Sequence, residues 1–297
     1  MKRIIYCVVV NYNDFSTCEA FVENNGNNNS IEKIIFVDNN SSDDSYNKLI
    51  KNYNDNPKID VIKCSKNGGY GYGNNFGIRY CFEKYKPSHI IISNPDVKFN
   101  DCTVYSLCDS LDSSKDNLIA APLMKQKDGS IGNLPWSIPS KVQYIFLSSI
   151  VFSNNSFRNK ISDFDNKDAF NYVDCVSGAF LMVKAFPFLK DGLYDENVFL
   201  YCEETLIGIK YKKEGYKTVF LVDVDYYHLG SESINKTFNS EISKLKITLK
   251  SRYYVLRHYY NIYFLEIPII KLIFWIQIVE WSLYLKLRKY IPWKRKK

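Results

Sequence analysis

A chain of 297 residues is long enough for one large domain or for a domain with an appendage, and its 46% hydrophobic content supplies an ample core. The formal net charge of +7 does not point to nucleic acid. It is carried entirely by Lys286, Arg288, Lys289, Lys294, Arg295, Lys296 and Lys297, which leaves the rest of the chain formally neutral and without a phosphate-tracking groove. The cysteines (Cys7, Cys18, Cys64, Cys81, Cys102, Cys108, Cys175, Cys202) are scattered with no C-x-x-C pair, which argues against a zinc site or disulfide framework and for reduced core residues of a cytosolic protein.

The first apolar run, Ile4 to Val10, follows Lys2-Arg3 and superficially resembles a signal peptide. It is short and runs straight into Asn11-Tyr12-Asn13-Asp14 with no small-residue cleavage site, so a buried strand is expected. A helix from Phe15 to Val22, capped by Asn13 or Asp14, comes next. A strand over Lys33 to Val37 then ends at Asp38-Asn39-Asn40-Ser41, and a helix over Ser45 to Tyr53 leads to a strand over Ile59 to Lys63. This alternation predicts an α/β fold built from βαβ units. The stretch Asn67-Gly68-Gly69-Tyr70-Gly71-Tyr72-Gly73-Asn74-Asn75 opens a helix running through Phe76 to Tyr85. Its glycines let backbone approach a ligand closely, and the helix start favours phosphate. It is not a Rossmann fingerprint, because it follows the third strand and has no acid at the required offset; taken alone it is a flexible turn.

The β-branched run His89 to Ser93 is the next strand, and Pro95 stops it, so Asn94-Pro95-Asp96-Val97 puts Asp96 at the carboxyl end of a buried strand. Open α/β sheets gather ligands there, and a lone carboxylate can anchor a divalent cation on a diphosphate, although the tetrapeptide by itself is also an ordinary turn. A helix over Asp101 to Leu111 and a strand over Leu118 to Ala121 follow. Residues 125–167 are aperiodic and read as a mobile, partly helical insertion. Regular structure resumes over Tyr172 to Lys184. A helix from near Leu200 ends at Gly215, a strand covers Thr218 to Val222, and helices cover about Ser240 to Tyr263 and Pro268 to Tyr290.

Five blocks in this order carry a resemblance to a known family: Val8-Val9-Val10-Asn11-Tyr12-Asn13, Val37-Asp38-Asn39-Asn40-Ser41, Asn67-Gly68-Gly69-Tyr70-Gly71 with Asn74-Asn75, Ser93-Asn94-Pro95-Asp96-Val97, and Phe199-Leu200-Tyr201-Cys202-Glu203-Glu204 ahead of Gly215-Tyr216. Each is weak alone; together they resemble the family 2 glycosyltransferases, in particular the rhamnosyltransferase-like branch of bacterial surface polysaccharide synthesis, over about residues 1–235. The resemblance implies a GT-A fold, a Rossmann-like mixed sheet flanked by helices, with residues 236–297 as a helical appendage. It implies an inverting transferase that moves rhamnose or a hexose from a dTDP- or UDP-sugar to a hydroxyl of a polyprenyl-diphosphate-linked saccharide, in capsule or O-antigen-type synthesis.

Site roles follow from the same resemblance. Asp38, with Asn11 and Asn40, is to meet the nucleotide through a pyrimidine N–H or ribose hydroxyl; its alternative is an N-cap or Asx-turn residue. Gly68, Gly69, Asn74 and Asn94 complete the donor side. Asp96 stands where the family carries the last acid of its metal motif and is to hold Mg²⁺ or Mn²⁺, with the diphosphate supplying much of the coordination. His228 is to bind the cation or donate to the leaving phosphate, or else is structural. Glu204 is expected as the base and Glu203 as an orienting or acceptor-contacting residue; adjacent helix positions point roughly 100° apart, so one of the two faces the acceptor. The family pattern has Asp at Glu204 and a further acid at Leu206, which leucine cannot replace. Gly178 and Trp136 are the acceptor-side candidates, Trp136 either stacking on a sugar or simply packing. His89 and His258 are read as structural.

In the tail, charged residues interrupt the apolar stretch from Ile262 to Leu287, and the longest uncharged run, Leu272 to Val279, falls far short of the roughly 20 residues needed to span a bilayer. Trp275, Trp281, Tyr284, Tyr290 and Trp293, with the terminal Lys/Arg cluster, predict a helix lying on the inner face of the cytoplasmic membrane. The alternative is a helix packed on the catalytic domain or against a second subunit of a homodimer. Two other classes compete: a nucleotidyltransferase, which would carry a basic Gly-rich loop where Asn11-Tyr12-Asn13-Asp14 stands, and a non-catalytic relative that scaffolds a membrane assembly.

Overall fold

A computed structural model describes residues 3–152, 171–230 and 240–288, and the chain divides into two compact units, Met1–Ile138 with Lys160–Ile234 and Pro139–Asn159 with Asn235–Lys297. In the first unit β1 (Ile5–Asn11), β2 (Lys33–Asp38), β3 (Ile59–Lys63) and β4 (His89–Ser93) are linked by α1 (Phe15–Asn25), α2 (Ser45–Tyr53) and α3 (Tyr70–Tyr85). These four strands are parallel and ordered β3-β2-β1-β4, the arrangement that helical crossovers produce. The chain continues through β5 (Val97–Lys98), α4 (Asp101–Asp112), β6 (Asn117–Gln126), β7 (Asn171–Val173), β8 (Phe180–Lys184), α5 (Ala185–Lys190), α6 (Glu203–Lys213) and β9 (Lys217–His228).

Beyond β4 the sheet reverses. β8 pairs antiparallel with both β4 and β6, β6 pairs parallel with β9, and β5 and β7 close on β9 as antiparallel partners. The C-terminal ends of β1, β2, β4 and β9 and the N-terminal end of β8 therefore share one edge of the sheet.

Strand alternation sorts the buried side chains into two layers. Cys7, Val9, Ile34, Phe36 and Ile91 belong to one, with Phe21 of α1, Leu49 of α2 and Leu107 of α4. Val8, Ile35, Val37, Ile90 and Ile92 belong to the other, with Ile78 of α3, Phe188 of α5 and Tyr211 of α6. Each such side chain contributes about 1.5–3 kcal/mol by leaving water. Gly77 brings α3 against the sheet: a Cβ there would stand 2.6 Å from a Val8 methyl and 2.7 Å from a Val37 methyl.

Several expectations are corrected. Asp14 is the N-cap residue of α1, but its side chain makes no backbone cap hydrogen bond and accepts instead from the Ser16 hydroxyl at 3.3 Å. Helix α3 starts at Tyr70, inside the Gly-rich stretch expected to open it, where the Tyr70 N–H is satisfied by the Phe199 carbonyl at 3.0 Å and the glycines run on as helix. Strand β9 extends past Val222 to His228, since β6 and β5 pair with its second half. Of the cysteines, Cys102 is exposed and Cys202 half-buried; the rest are buried.

The second unit takes part of the segment read as a mobile insertion. Residues 153–167 of that segment lie outside the described residues, as do Ser231, Tyr290, Trp293 and the basic residues after Arg288. A capping box of Ser140 and Gln143 starts helix α7 (Lys141–Phe146), whose carbonyl at Ile145 accepts from Gln277 at 2.8 Å. This second unit also contains α8 (Glu241–Tyr259) and α9 (Glu266–Leu287). The charges that interrupt α9 are engaged inside the unit: Glu266 pairs with Lys141 at 2.7 Å, and Glu280 accepts from the Ser149 hydroxyl and the Ile150 N–H, both at 2.9 Å. What α9 exposes is largely apolar, with Leu265, Ile269, Leu272, Trp275, Leu283 and Leu287 each more than half exposed beside the exposed Lys271 and Lys286. Helix α9 is 22 residues long and by length and composition could cross a membrane, a reach that counting uncharged runs had missed.

A polar cluster stabilises the β3 edge of the sheet. Burial pushes the Asp60 carboxyl up, but Lys33 at 2.6 Å, Tyr85 at 2.5 Å and Tyr80 at 2.8 Å outweigh it and hold the group at about 2. Its folded pKa is depressed, so the stabilisation is complete above the unfolded carboxylate pKa and is lost as pH falls from about 4 to about 2. Asp60→Asn should cost about 1 kcal/mol at neutral pH, allowing for solvent screening, and nothing at pH 2; melting curves of both proteins from pH 7 to pH 2 check this.

Candidate active site

The first two βα loops are tied together at the shared edge. Asp38 is fully buried; its Oδ1 accepts from the Ser41 N–H at 2.9 Å, and its Oδ2 accepts from Asn11 Nδ2 at 2.9 Å and the Ser41 hydroxyl at 2.6 Å. This is the Asx-turn arrangement. The enclosed carboxylate holds the turn, while Asn40, exposed and left-handed at φ 58°, is what the turn offers outward. Asn13 ties the first loop to the second by donating its N–H to Ser41 Oγ and accepting from Ser42 N.

The Gly-rich loop joins them through Asn39, whose Nδ2 donates to the Gly69 carbonyl at 3.0 Å. Gly69 has φ 92°, and a Cβ there would fall 1.9 Å from the Phe199 carbonyl oxygen, so only glycine fits. A Cβ at Gly68 would strike the Tyr72 ring. Asn74 and Asn75 act from the first turns of α3. Asn74 donates to the Tyr70 carbonyl and keeps a buried, unpartnered Oδ1, whereas Asn75 exchanges hydrogen bonds with the Tyr194 backbone at 3.0 Å both ways.

Asp96 lies just past β4. The Asn94 N–H donates to the Ala179 carbonyl at 2.8 Å, and the Asp96 carbonyl accepts from the Leu229 N–H at 2.8 Å, so the turn is fixed to β8 on one side and β9 on the other. The β5–β9 register sets His228 opposite Val97, with its Nε2 3.3 Å from Asp96 Oδ2. Asp96 Oδ1 is buried and has no partner. One carboxylate oxygen without a donor beside an imidazole nitrogen fits a divalent cation that takes its remaining ligands from a diphosphate. Among the described residues no group of three or more metal-ligating side chains forms a cage.

The acid pair opens α6. Tyr201 and Cys202, immediately before it, both adopt left-handed backbone, φ 68° and 74°, a strain typical of sites where geometry is overdetermined. Glu203 is 5% exposed with Oε1 unpartnered, whereas Glu204 is half-buried and its Oε1 lies 3.4 Å from the Gly178 N–H. A Cβ on Gly178 would meet that oxygen at 3.3 Å. Burial pushes both carboxyls up, and for Glu203 the adjacent Glu204 adds to it. Leu206, at the position of the family's further acid, is buried in the apolar interior.

Asp96 and Glu204 are brought together. Burial is the main cause that raises the Tyr226 phenol, and the charges of Asp96 and Glu204 both add to it, so both carboxylates are near this side chain of β9. Tyr70 reaches the same place, donating its hydroxyl to the Gly178 carbonyl at 2.6 Å and sensing both glutamates. Trp136 is joined to Cys175 by a two-way backbone bridge at 3.0 Å, three residues before Gly178. Asp38, Asn11 and Asn40 sit with the β1 and β2 loops. Sequence reasoning missed Tyr70, Asn75, Tyr194 and Tyr226; only the first two lay inside a recognised block. His89, buried and lowered by that burial, contacts Ser88 and Asp112 away from the site.

Residues 6–184 match the family model described as glycosyl transferase family 2. The chain is similar to the N-acetylglucosaminyl-diphospho-decaprenol L-rhamnosyltransferase of Mycobacterium tuberculosis, 23% identical over 190 residues, covering 61% of this chain and 62% of the relative. It is similar also to rhamnosyltransferase WbbL of Escherichia coli, 20% identical, covering 62% of this chain and 69% of the relative. It thus spans less than two thirds of the mycobacterial protein's length. Among solved structures, GalNAc-T7 with UDP, GalNAc and Mn²⁺ superposes with a TM-score of 0.64 at 14% identity, covering 86% of this chain and 48% of the other. Sheet, edge loops and family match agree: the chain belongs to glycosyl transferase family 2 and has the GT-A fold.

Proposed function

We propose that this chain is an inverting glycosyltransferase that moves a sugar, rhamnose first and a hexose second, from a nucleotide-diphospho-sugar to a hydroxyl of a lipid-linked saccharide. The observation that carries the reading is that Gly178-Ala179 meets both the Asn94–Asp96 turn and Glu204, with an unpartnered oxygen on Asp96. The rhamnosyl donor and polyprenyl-linked acceptor are taken from what the relatives are named for.

In this reading the turns at Asn11 and Asp38–Ser41, with Gly68, Gly69 and Asn74, receive the nucleotide, and Asn94 borders the diphosphate. Asp96 and His228 hold Mg²⁺ or Mn²⁺, whose charge, when bound, offsets that developing on the departing diphosphate. Glu204 takes the proton of the acceptor hydroxyl at its carboxylate, and the freed oxygen attacks the anomeric carbon from the face opposite the leaving group, which inverts the centre. Its raised basicity suits this, because a carboxylate of ordinary pKa is a poor base for an alcohol. Gly178 leaves room beside Glu204, and Trp136 borders the acceptor side.

The membrane reading follows from α9. Its inward face is committed to α7 through Gln277 and, beyond it, to Ser148 through Trp281 Nε1 at 2.8 Å, while its outward face from Leu265 to Leu287 is mostly apolar, with Lys271 and Lys286 exposed among the apolar side chains. A helix with one face tied to protein and the other apolar is suited to lying at the cytoplasmic bilayer surface, where a polyprenyl-linked acceptor resides.

Release of nucleoside diphosphate from dTDP-rhamnose and UDP-hexoses, with polyprenyl-diphospho-N-acetylglucosamine and Mn²⁺, tests the chemistry. Asp96→Ala and Glu204→Gln should each lower turnover at least about 100-fold, while Glu204→Gln leaves nucleotide affinity within about threefold. Near-native turnover in either contradicts the assignment. Leu272→Glu with Leu283→Glu, both on the exposed face, should release the protein from anionic vesicles in sedimentation without lowering its melting temperature; unchanged partitioning contradicts the membrane reading.

A further inference from the structure

We infer that Glu203 is the neutral member of the acid pair: it keeps its proton while Glu204 ionises, so that the site holds one mobile negative charge, on the residue that faces the acceptor. The inference rests on the glycosyl-transfer reading and specifies how its base is set. Glu203 is a positioning residue in this account, acting through Glu204.

The geometry separates two carboxyls that are neighbours in sequence. Glu204 is half-buried and has an N–H, that of Gly178, directed at its Oε1. Glu203 is buried, and its Oε1 is enclosed with no donor aimed at it. An ionised carboxylate with one buried, orphaned oxygen is far costlier than a neutral carboxyl in the same place. The proton belongs on that oxygen, while the N–H groups of Tyr201 and of Glu203 itself serve the same carboxyl group.

Among the described residues, nothing nearby offsets a second charge. The groups facing the pair are Tyr70 on α3, Tyr194 after α5, Cys175 ahead of β8 and Tyr226 on β9, with Asp96 also near Tyr226. All are neutral or acidic. The lysines of α6 are committed elsewhere: Lys210 donates to the Leu193 carbonyl at 2.9 Å, and Lys212 pairs with Asp174 at 2.6 Å. Two charges side by side without a cation repel, so the pair titrates in two widely separated steps, and the first belongs to Glu204, the less enclosed of the two and the one without an orphaned oxygen. The left-handed Tyr201 and Cys202 fix the start of α6, so neither carboxyl escapes by sliding toward solvent.

The test needs no substrate. Full-length protein carrying ¹³C-carboxyl glutamate is titrated by NMR as wild type, Glu203→Gln and Glu204→Gln. The expected result is one glutamate carboxyl with its midpoint above about pH 6.5, absent from Glu203→Gln and persisting, at a lower midpoint, in Glu204→Gln. No wild-type glutamate titrating above about pH 6.5 overturns the inference, as does a high resonance lost in Glu204→Gln but kept in Glu203→Gln. Should Glu203→Gln not fold, the wild-type and Glu204→Gln spectra decide. Failure here leaves the transfer reading intact, and failure of wild-type transfer leaves the titration intact, so the two are distinguishable.

Discussion

The antiparallel pairing of β8 against β4 is the constraint on which the site depends. Parallel strands alone would deliver Asn11, Asp38 and Asp96 to the sheet edge and nothing opposite them. Because β8 runs the other way, its start, Gly178-Ala179, meets the end of β4, and the Asn94 N–H bonds the Ala179 carbonyl at 2.8 Å. Gly178 then receives Glu204 from α6 and the Tyr70 hydroxyl from α3. Strand β9, parallel to β6, brings His228 and Tyr226 to the same edge. One strand reversal thus converts a nucleotide-binding edge into one with a second, acidic side.

That second side has an electrostatic consequence. The groups that meet around Tyr226 are carboxyls and phenols, with a single imidazole, and the lysines of α6 point to other partners. In the proposed reading a donor diphosphate adds further negative charge, which favours a cation arriving with it. Asp96 has the free oxygen to receive it. Burial is what raises the glutamates, with Glu204 adding to it at Glu203, and in the proposed reading that suits a base for an alcohol.

Much of the frame was legible in the sequence. Ser45–Tyr53, Ile59–Lys63 and His89–Ser93 have the expected bounds because turn residues punctuate them on both sides. Asp96 and Glu204 were legible by type and position. What was not legible came from pairing at a distance. Helix α3 starts at Tyr70 because Phe199, over a hundred residues away, accepts its first N–H, and β9 runs on because β5 and β6 extend it. Tyr194 and Tyr226 look like core aromatics in sequence; only tertiary packing brings their phenols within reach of the acids' charges. Asp38 was read as a ligand contact, yet Asn11 and Ser41 enclose it, an outcome that a local Asx pattern allowed but could not decide. In the tail, counting charges misled, because Glu266 and Glu280 turn inward to partners that lie over a hundred residues earlier.

The central claim is that a lone carboxylate and an imidazole at the end of the sheet grip a cation-bridged diphosphate across from Glu204. Crystals soaked with a nucleoside diphosphate and Mn²⁺, measured at the manganese absorption edge, test it most directly. The account predicts an anomalous peak within roughly 2.5 Å of Asp96 Oδ1, bridged to diphosphate oxygens. Nucleotide bound with its manganese remote from Asp96, or with the diphosphate turned away from Glu204, would contradict it.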